Sequence, residues 1–333
     1  MVSEGGPDRI CNPRGPSLLG SHLLRSQIHR LGIALLIGIA VGFSSGLSPF
    51  WPADFIQVLF PAEAVLRGMD PFIPLYSTYA PYPLTAALLG LPFTALSPLF
   101  GASLFAGIAT AWLAYLLAGE ALWPLLIFCS CPFFDALLSA QFTPFIVALA
   151  LAGCAPLAVL IKPQNALPLL LTYRSRRWTF AVAGVILCGS LVVMPSWPWQ
   201  WIVRLKSYEG GVWVLSWPGV LVLLAALCWE QPAARLLVFM ACVPQRRMYD
   251  ALALWLVPQT RSGMLTLTLL NWGASIAVGL LGNSEMAPFP ASNNGRIMTC
   301  LLPALGVLLW EHRRATLARV HWLANLRTER RAV

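Results

Sequence analysis

A handful of ionisable side chains interrupt apolar stretches of this chain, and such residues are the first candidates for chemistry. Asp54 follows Trp51-Pro52-Ala53, and Asp70 stands in Arg67-Gly68-Met69-Asp70-Pro71-Phe72. Lys162-Pro163-Gln164-Asn165 breaks an apolar stretch running from 136 to 172. Arg246-Arg247-Met248-Tyr249-Asp250 separates two short apolar pieces, and Arg296 opens the last one. One or two carboxylates beside several cations suit a donor whose leaving group is a lipid phosphate. In glycosyl transfer from a polyprenyl phosphate the leaving group is already an anion, so it needs cations and no general acid. A single carboxylate then serves as general base on the acceptor hydroxyl. Hydrolysis of a glycoside differs, because a leaving alkoxide normally demands a second carboxyl.

Each candidate also has a simpler role. Asp70-Pro71 fits a turn and helix-start signal. Lys162 fits a snorkelling residue at a helix end. Arg247 and Asp250 fit a structural ion pair at helical spacing. Asp54 fits an N-cap where an apolar run ends. Asp135 and Glu120 read as short-loop residues with no role. No metal site or cofactor is expected. Cys129-x-Cys131 lacks zinc spacing and a nearby His, all four His lie towards the chain ends, and no Gly-rich phosphate loop is present. Seven of the eight Cys lie in apolar context, where they act as small hydrophobes.

These residues sit in a frame that composition defines. Of 333 residues, 58% are apolar and only 11% charged, with a mean hydropathy of +0.71. A soluble domain carries roughly a quarter charged residues, so a soluble enzyme, a disordered chain and a small disulfide scaffold are excluded. The net charge is +9, and 20 of the 22 basic residues are Arg. In a polytopic membrane protein that excess belongs in cytoplasmic loops, which argues against nucleic acid as a partner.

Residues 31–53, 71–119, 136–161, 178–203, 210–229 and 262–284 contain no Asp, Glu, Lys or Arg. About 20 apolar residues make one crossing, so 71–119 holds two spans with a turn at Leu99-Phe100-Gly101. The shorter charge-free pieces 121–134, 236–245, 251–260 and 297–310 read as tilted, broken or re-entrant helices. The fold class is therefore all-α and polytopic, with about twelve membrane segments. Basic clusters at 9–30, 174–177 and 313–331 place both termini and the 173–178 loop on the cytoplasmic side of the plasma (inner) membrane. The organisation is a cytoplasmic segment 1–30, a multi-pass domain 31–310 and a basic cytoplasmic tail 311–333. Residues 54–67 and 197–217, the latter with five of the 14 Trp, read as helices lying in the outer interface. The basic residues left for the outer face are Arg67, Lys162, Arg204, Lys206, Arg246, Arg247 and Arg296.

The order Trp51-x-x-Asp54-Phe55, Ala64-x-Leu66-x-Gly68-x-Asp70-Pro71-Phe72 and Tyr79-x-x-Tyr82-Pro83-Leu84 resembles the first outer loop of glycosyltransferase family 87, here 49–80 and just beyond. Ala140-Gln141-Phe142-Thr143-Pro144, Leu160-Ile161-Lys162-Pro163-Gln164 and Met248-Tyr249-Asp250-Ala251-Leu252 are similar to three later segments of that family, in the same order. The resemblance runs from about 33 to 312. It implies a GT-C architecture, a polyprenyl-phosphate sugar donor (typically the mannose form) and a lipid or glycan acceptor in contact with membrane lipids. It further implies Asp54 as the general base. Lys162, Arg246 and Arg247 would hold the lipid phosphate, while Asp70, Tyr82, Gln141, Gln164 and Asp250 would shape the pocket. The Gln-x-Thr-Pro and Lys-Pro-Gln segments stand closer together than is usual in the family. The last outer loop, 284–296, lacks the His or Asp that relatives often place there. Two other classes fit the residues: a transporter or lipid flippase, and an inactive GT-C relative acting in an envelope-glycan assembly complex.

Overall fold

The computed structural model describes residues 17–48, 52–72, 82–119, 121–206, 210–281, 292–314 and 316–319. Trp51, Tyr79, Glu120, most of the 284–296 loop and the far ends of both terminal segments lie outside the described residues. The architecture is helical. In chain order the α-helices are α1 Ser17–Gly46, α2 Ile56–Leu66, α3 Pro98–Leu117, α4 Cys131–Leu138, α5 Thr143–Leu151, α6 Ala155–Val159 and α7 Pro163–Thr172. They continue as α8 Arg177–Val193, α9 Trp197–Leu205, α10 Pro232–Cys242, α11 Arg261–Leu281, α12 Asn293–Arg296 and α13 Leu302–Glu311. A two-residue antiparallel pair, β1 Gly211–Val212 with β2 Pro244–Gln245, interrupts them, with Gly211 opposite Gln245.

Among the described residues three helices are long and apolar enough to cross a membrane: Ser26–Gly46 of α1, Pro98–Leu117 and Arg261–Leu280 of α11. The helices α8 and α9 would make a fourth, broken span, bent by 98°. The bend has a sequence cause. Pro195 cannot continue α8, and Pro198 sits in the first turn of α9, where its fixed φ is favourable.

The helices α1 and α3 pack through small residues. A Cβ at Gly38 would lie 2.6 Å from Ala111 Cβ, one at Gly107 2.9 Å from Gly38 O, and one at Gly42 3.1 Å from Ser103 O. Gly38-x-x-x-Gly42-x-x-x-Gly46 thus meets Ser103-x-x-x-Gly107-x-x-x-Ala111, the small-residue stripe by which helices approach closely in lipid. The opposite face of α1 exposes Leu35, Leu36, Ile39 and Phe43, a surface suited to hydrocarbon.

The turn expected at Leu99-Phe100-Gly101 falls earlier. Ser97 caps α3, its Oγ accepting the Phe100 N–H, and Pro98 opens the helix. Before it, Leu84–Leu89 and Leu91–Phe93 are 3₁₀ segments rather than a straight span, because Gly90 and Pro92 break the helical ladder. The stretch 136–161 is likewise cut. The turn Ser139–Phe142 separates α4 from α5, with buried Ala140 in the left-handed region at φ 47°, and α6 follows as a short helix. The shorter pieces form 3₁₀ helices at Trp123–Cys129 and Met248–Leu256, and a π-turn at Ile297–Leu301 leading into α13.

Of 197–217, the described residues form α9 over the first half and a 3₁₀ turn at Trp213–Leu215. Within α9 Trp197 is core, packed with Ala62, Phe72, Leu84 and Ala87, and so is Trp213 further on, whereas Trp199 and Trp217 are exposed. The aromatic-belt reading therefore fits some of these rings and not others.

Candidate active site

The 3₁₀ helix Met248–Leu256 is buried from Met248 to Trp255 and packs chiefly against α4. Its third residue, Asp250, is the most fully bonded carboxylate of the described residues. Asp250 Oδ1 accepts from Lys162 Nζ at 2.6 Å and from Asn165 Nδ2 at 3.0 Å. Its Oδ2 accepts the backbone N–H groups of Arg246 at 3.0 Å and Arg247 at 3.1 Å. Both members of the Lys162–Asp250 ion pair are buried. Burial alone would raise the Asp250 pKa, but the Lys162 ammonium and these hydrogen bonds hold it below the ordinary carboxylate value. The ammonium also lies 4.6 Å from the Tyr249 ring centroid and 5.8 Å from that of Phe142. Lys162 thus lies in the interior rather than snorkelling, and the ion partner of Asp250 is Lys162 rather than Arg247.

Local sequence explains why the pair forms. Lys162 precedes Pro163, which disfavours the α conformation for it, and Lys162 is extended at φ −145° and ψ 84°. It therefore turns out of the helical line at the mouth of α7, while Asn165, within the first turn of α7, comes to the same carboxylate.

Asp54 comes to this cluster from the start of α2. No side chain caps α2, so the N-cap role is not what Asp54 performs. Its backbone N–H donates to Ser139 O at 3.2 Å, which ties it to the end of α4. Asp54 is half-buried, and its carboxyl lies within the electrostatic reach of Lys162, Tyr249, Asp250 and Arg247. Burial raises its pKa above the ordinary value, although the Lys162 ammonium pulls the other way.

A second carboxyl belongs to the same cluster. Asp135, on α4, accepts the Tyr249 backbone N–H at Oδ2, 3.0 Å away. Burial pushes its pKa up to about 6, with Arg247 opposing and Asp54 and Asp250 reinforcing. From the sequence alone Asp135 reads as a short-loop residue. Strict alternation of straight spans would put it at the opposite membrane face from Asp54. The 121–134 stretch is instead a 3₁₀ segment and a short helix that bring it back. A buried Asn271 in α11 anchors that return, accepting from Cys131 N at 3.1 Å and donating to Thr299 O at 2.9 Å.

The remaining nominees divide. Tyr82 stacks edge-on against Phe142, centroids 4.9 Å apart. With Gln57, Pro61, Pro71 and Phe72 it lines a cavity of about 10 Å³, room for roughly one water. Gln141 is buried, its Oε1 accepting the Phe142 N–H at 2.8 Å and its Nε2 lacking a hydrogen-bond partner. Gln164 is half-buried in the first turn of α7. Arg246 is half-buried and Arg247 exposed, and Arg296 Nη1 donates to the Arg246 carbonyl.

Asp70 stands apart. It is exposed beyond the far end of α2, where its Oδ1 accepts the Phe72 N–H at 2.8 Å in the turn that its Asp-Pro sequence announces. It sets Pro71 and Phe72 against the small cavity but does not join the carboxylate cluster. Among the described residues no group of three or more His, Cys, Asp or Glu could hold a metal ion.

The chain matches no protein-family model, no curated protein and no solved structure.

Proposed function

We propose that this protein is a multi-pass membrane glycosyltransferase of GT-C type. It transfers a sugar, mannose first among those to test, from a polyprenyl-phosphate donor to a lipid or glycan acceptor on the extracytoplasmic face. The observation that carries the reading is that Asp54 is tied to Ser139 at the end of α4, the helix that packs on the Met248–Leu256 segment holding the buried Lys162–Asp250 pair, which brings together residues spread over nearly two hundred positions of chain. Asp54 takes the proton of the acceptor hydroxyl as its oxygen attacks the anomeric carbon. The bond from that carbon to the phosphate oxygen breaks with inversion, and the polyprenyl phosphate departs as an anion. Arg246 and Arg247, on the loop that Asp250 ties down, stabilise that anion. Lys162, already balanced by Asp250, shapes the floor. The twelve-segment topology with cytoplasmic termini belongs to this proposal, and the outer loops then carry the site.

Purified protein in lipid should transfer hexose from polyprenyl-phosphate mannose to an envelope lipid extract, and Asp54→Asn should abolish turnover without unfolding. Wild-type turnover in that variant would remove Asp54 from the mechanism. Substrate uptake by sealed vesicles holding only this protein would favour the transporter reading, which the buried Lys162–Asp250 pair also fits.

A further inference from the structure

Two apolar segments of this chain end in the same way, in a tryptophan followed by charge. One is the 3₁₀ segment Gly219–Cys228, followed by Trp229-Glu230, and the other is α13, which runs out through Trp310-Glu311-His312-Arg313-Arg314. The two segments pack on each other, which brings their ends together. Hydrogen bonds also fix the level of these ends in a bilayer. Glu311 accepts the N–H groups of Gln259 at 2.8 Å and Thr260 at 3.1 Å, immediately before α11, a helix long and apolar enough to cross. His312 therefore stands where a membrane-length helix begins. Trp229 and Trp310 are exposed there, and such rings favour headgroup depth. Between the two ends lies a cavity of about 360 Å³, within the roughly 300–1,000 Å³ range of small-molecule sites.

Among the described residues its wall carries one acid and one base of full charge, Glu230 and Arg319, with Gln231 and His312 beside them. Arg319 Nη2 donates to Glu230 Oε1 at 2.6 Å, and its Nη1 donates to the Leu227 carbonyl at 3.4 Å. Thr316 Oγ1 donates to the His312 carbonyl at 3.1 Å and lies 3.1 Å from Cys228 Sγ, so the segment bearing Arg319 is tied to both ends that flank the cavity. The Glu230 side chain is largely exposed, and exposed ion pairs contribute little net stability, so a ligand offering both charges can replace this one. An anion alone would take Arg319 and leave Glu230 unpaired beside it. A zwitterion satisfies both. We propose that the cavity receives the headgroup of a zwitterionic aminophospholipid, its phosphate on Arg319 and its primary ammonium on Glu230. The guanidinium fork matches phosphate oxygens, and the carboxylate requires N–H donors that a quaternary ammonium lacks. Exposed Leu223, Leu224 and Leu317, on the segments that bound the cavity, offer a surface to acyl chains.

The cavity shares no residue with the carboxylate cluster, so lipid binding stands or falls apart from sugar transfer. Full-length protein in detergent micelles is titrated with phosphatidylethanolamine, phosphatidylcholine and phosphatidylglycerol of matched acyl chains, and native mass spectrometry reads the occupancy of each. Wild type should bind the ethanolamine lipid more tightly than the other two by roughly tenfold or more, the effect of one charged hydrogen bond. Glu230→Gln removes the partner of the ammonium and leaves Arg319 to an anion, so the preference should pass to phosphatidylglycerol. Arg319→Gln removes the partner of the phosphate and should weaken the ethanolamine lipid by a similar factor. Equal affinity for the three lipids, or a wild-type preference for either of the others, overturns the proposal. So does an unchanged preference in Glu230→Gln or undiminished binding in Arg319→Gln. Should Arg319→Gln not fold, Glu230→Gln carries the test, since that side chain is largely exposed. Free phosphoethanolamine at the same concentration should not displace the lipid, and displacement would overturn the lipid assignment in favour of a soluble ester.

Discussion

Asp250 shows how an ion pair can be held inside so apolar a protein. Its four hydrogen bonds compensate the loss of water, and removing one partner of such a buried pair leaves an unbalanced charge. Lys162→Met should therefore destabilise the protein by about 3–5 kcal/mol, read as a lowered thermal midpoint in micelles. The double variant Lys162→Met/Asp250→Leu should recover only part of this, because it strands the Arg246 and Arg247 N–H donors as well. Full recovery would mean that those two bonds carry no stability.

Asp135 titrates in the opposite sense. Its pKa is raised, mainly by burial, to about 6, so the folded state holds its proton more tightly than the unfolded chain. The stability this contributes is complete below the ordinary carboxylate value and is lost as pH rises through about 6. Asp135→Asn should accordingly match wild type in thermal midpoint near pH 4 and exceed it at pH 7.5. An equal difference at both values would show that its ionisation is not coupled to folding.

At the scale of elements, α1 and α3 depend on the absence of side chains. The spacing of Gly38, Gly42 and Gly46 was open to reading from the chain alone, but only the partner stripe Ser103, Gly107 and Ala111 makes it an interface. Gly38→Leu should force the helices apart, at a cost of roughly 1–3 kcal/mol or more for overpacking. Gly32→Leu, on the same helix with nothing within 4 Å of its Cβ, should be neutral. Thermal unfolding of both variants in micelles checks this, and equal losses would refute the stripe. The α8–α9 bend was legible from Pro195 and Pro198. The 3₁₀ and π segments were legible only as pieces too short to span, since periodicity cannot tell a tightened helix from a tilted one.

For the whole molecule, the proposed topology puts the carboxylate cluster and the basic loop 173–178 on opposite sides of the membrane. In a background with exposed Cys129, Cys188 and Cys242 replaced, Arg247→Cys should react with an impermeant maleimide from outside intact cells. Arg176→Cys should react only after permeabilisation. Reversed labelling would invert the protein and remove the extracytoplasmic site.

Scarcity of charge made Asp54, Lys162, Arg246, Arg247 and Asp250 visible in one dimension, because an ionised group in an apolar stretch costs several kcal/mol and calls for a reason. The same logic identified a helical chain with membrane-crossing segments and the turn chemistry of Asp70. Partners were another matter. That Lys162 bonds Asp250, that Asp54 is tied to the end of α4, and that Asp135 holds the Tyr249 N–H depend on contacts across more than eighty residues of chain. Those contacts are set by how broken helices fold back and pack, and local propensity and spacing carry no information on which distant element a short helix will meet.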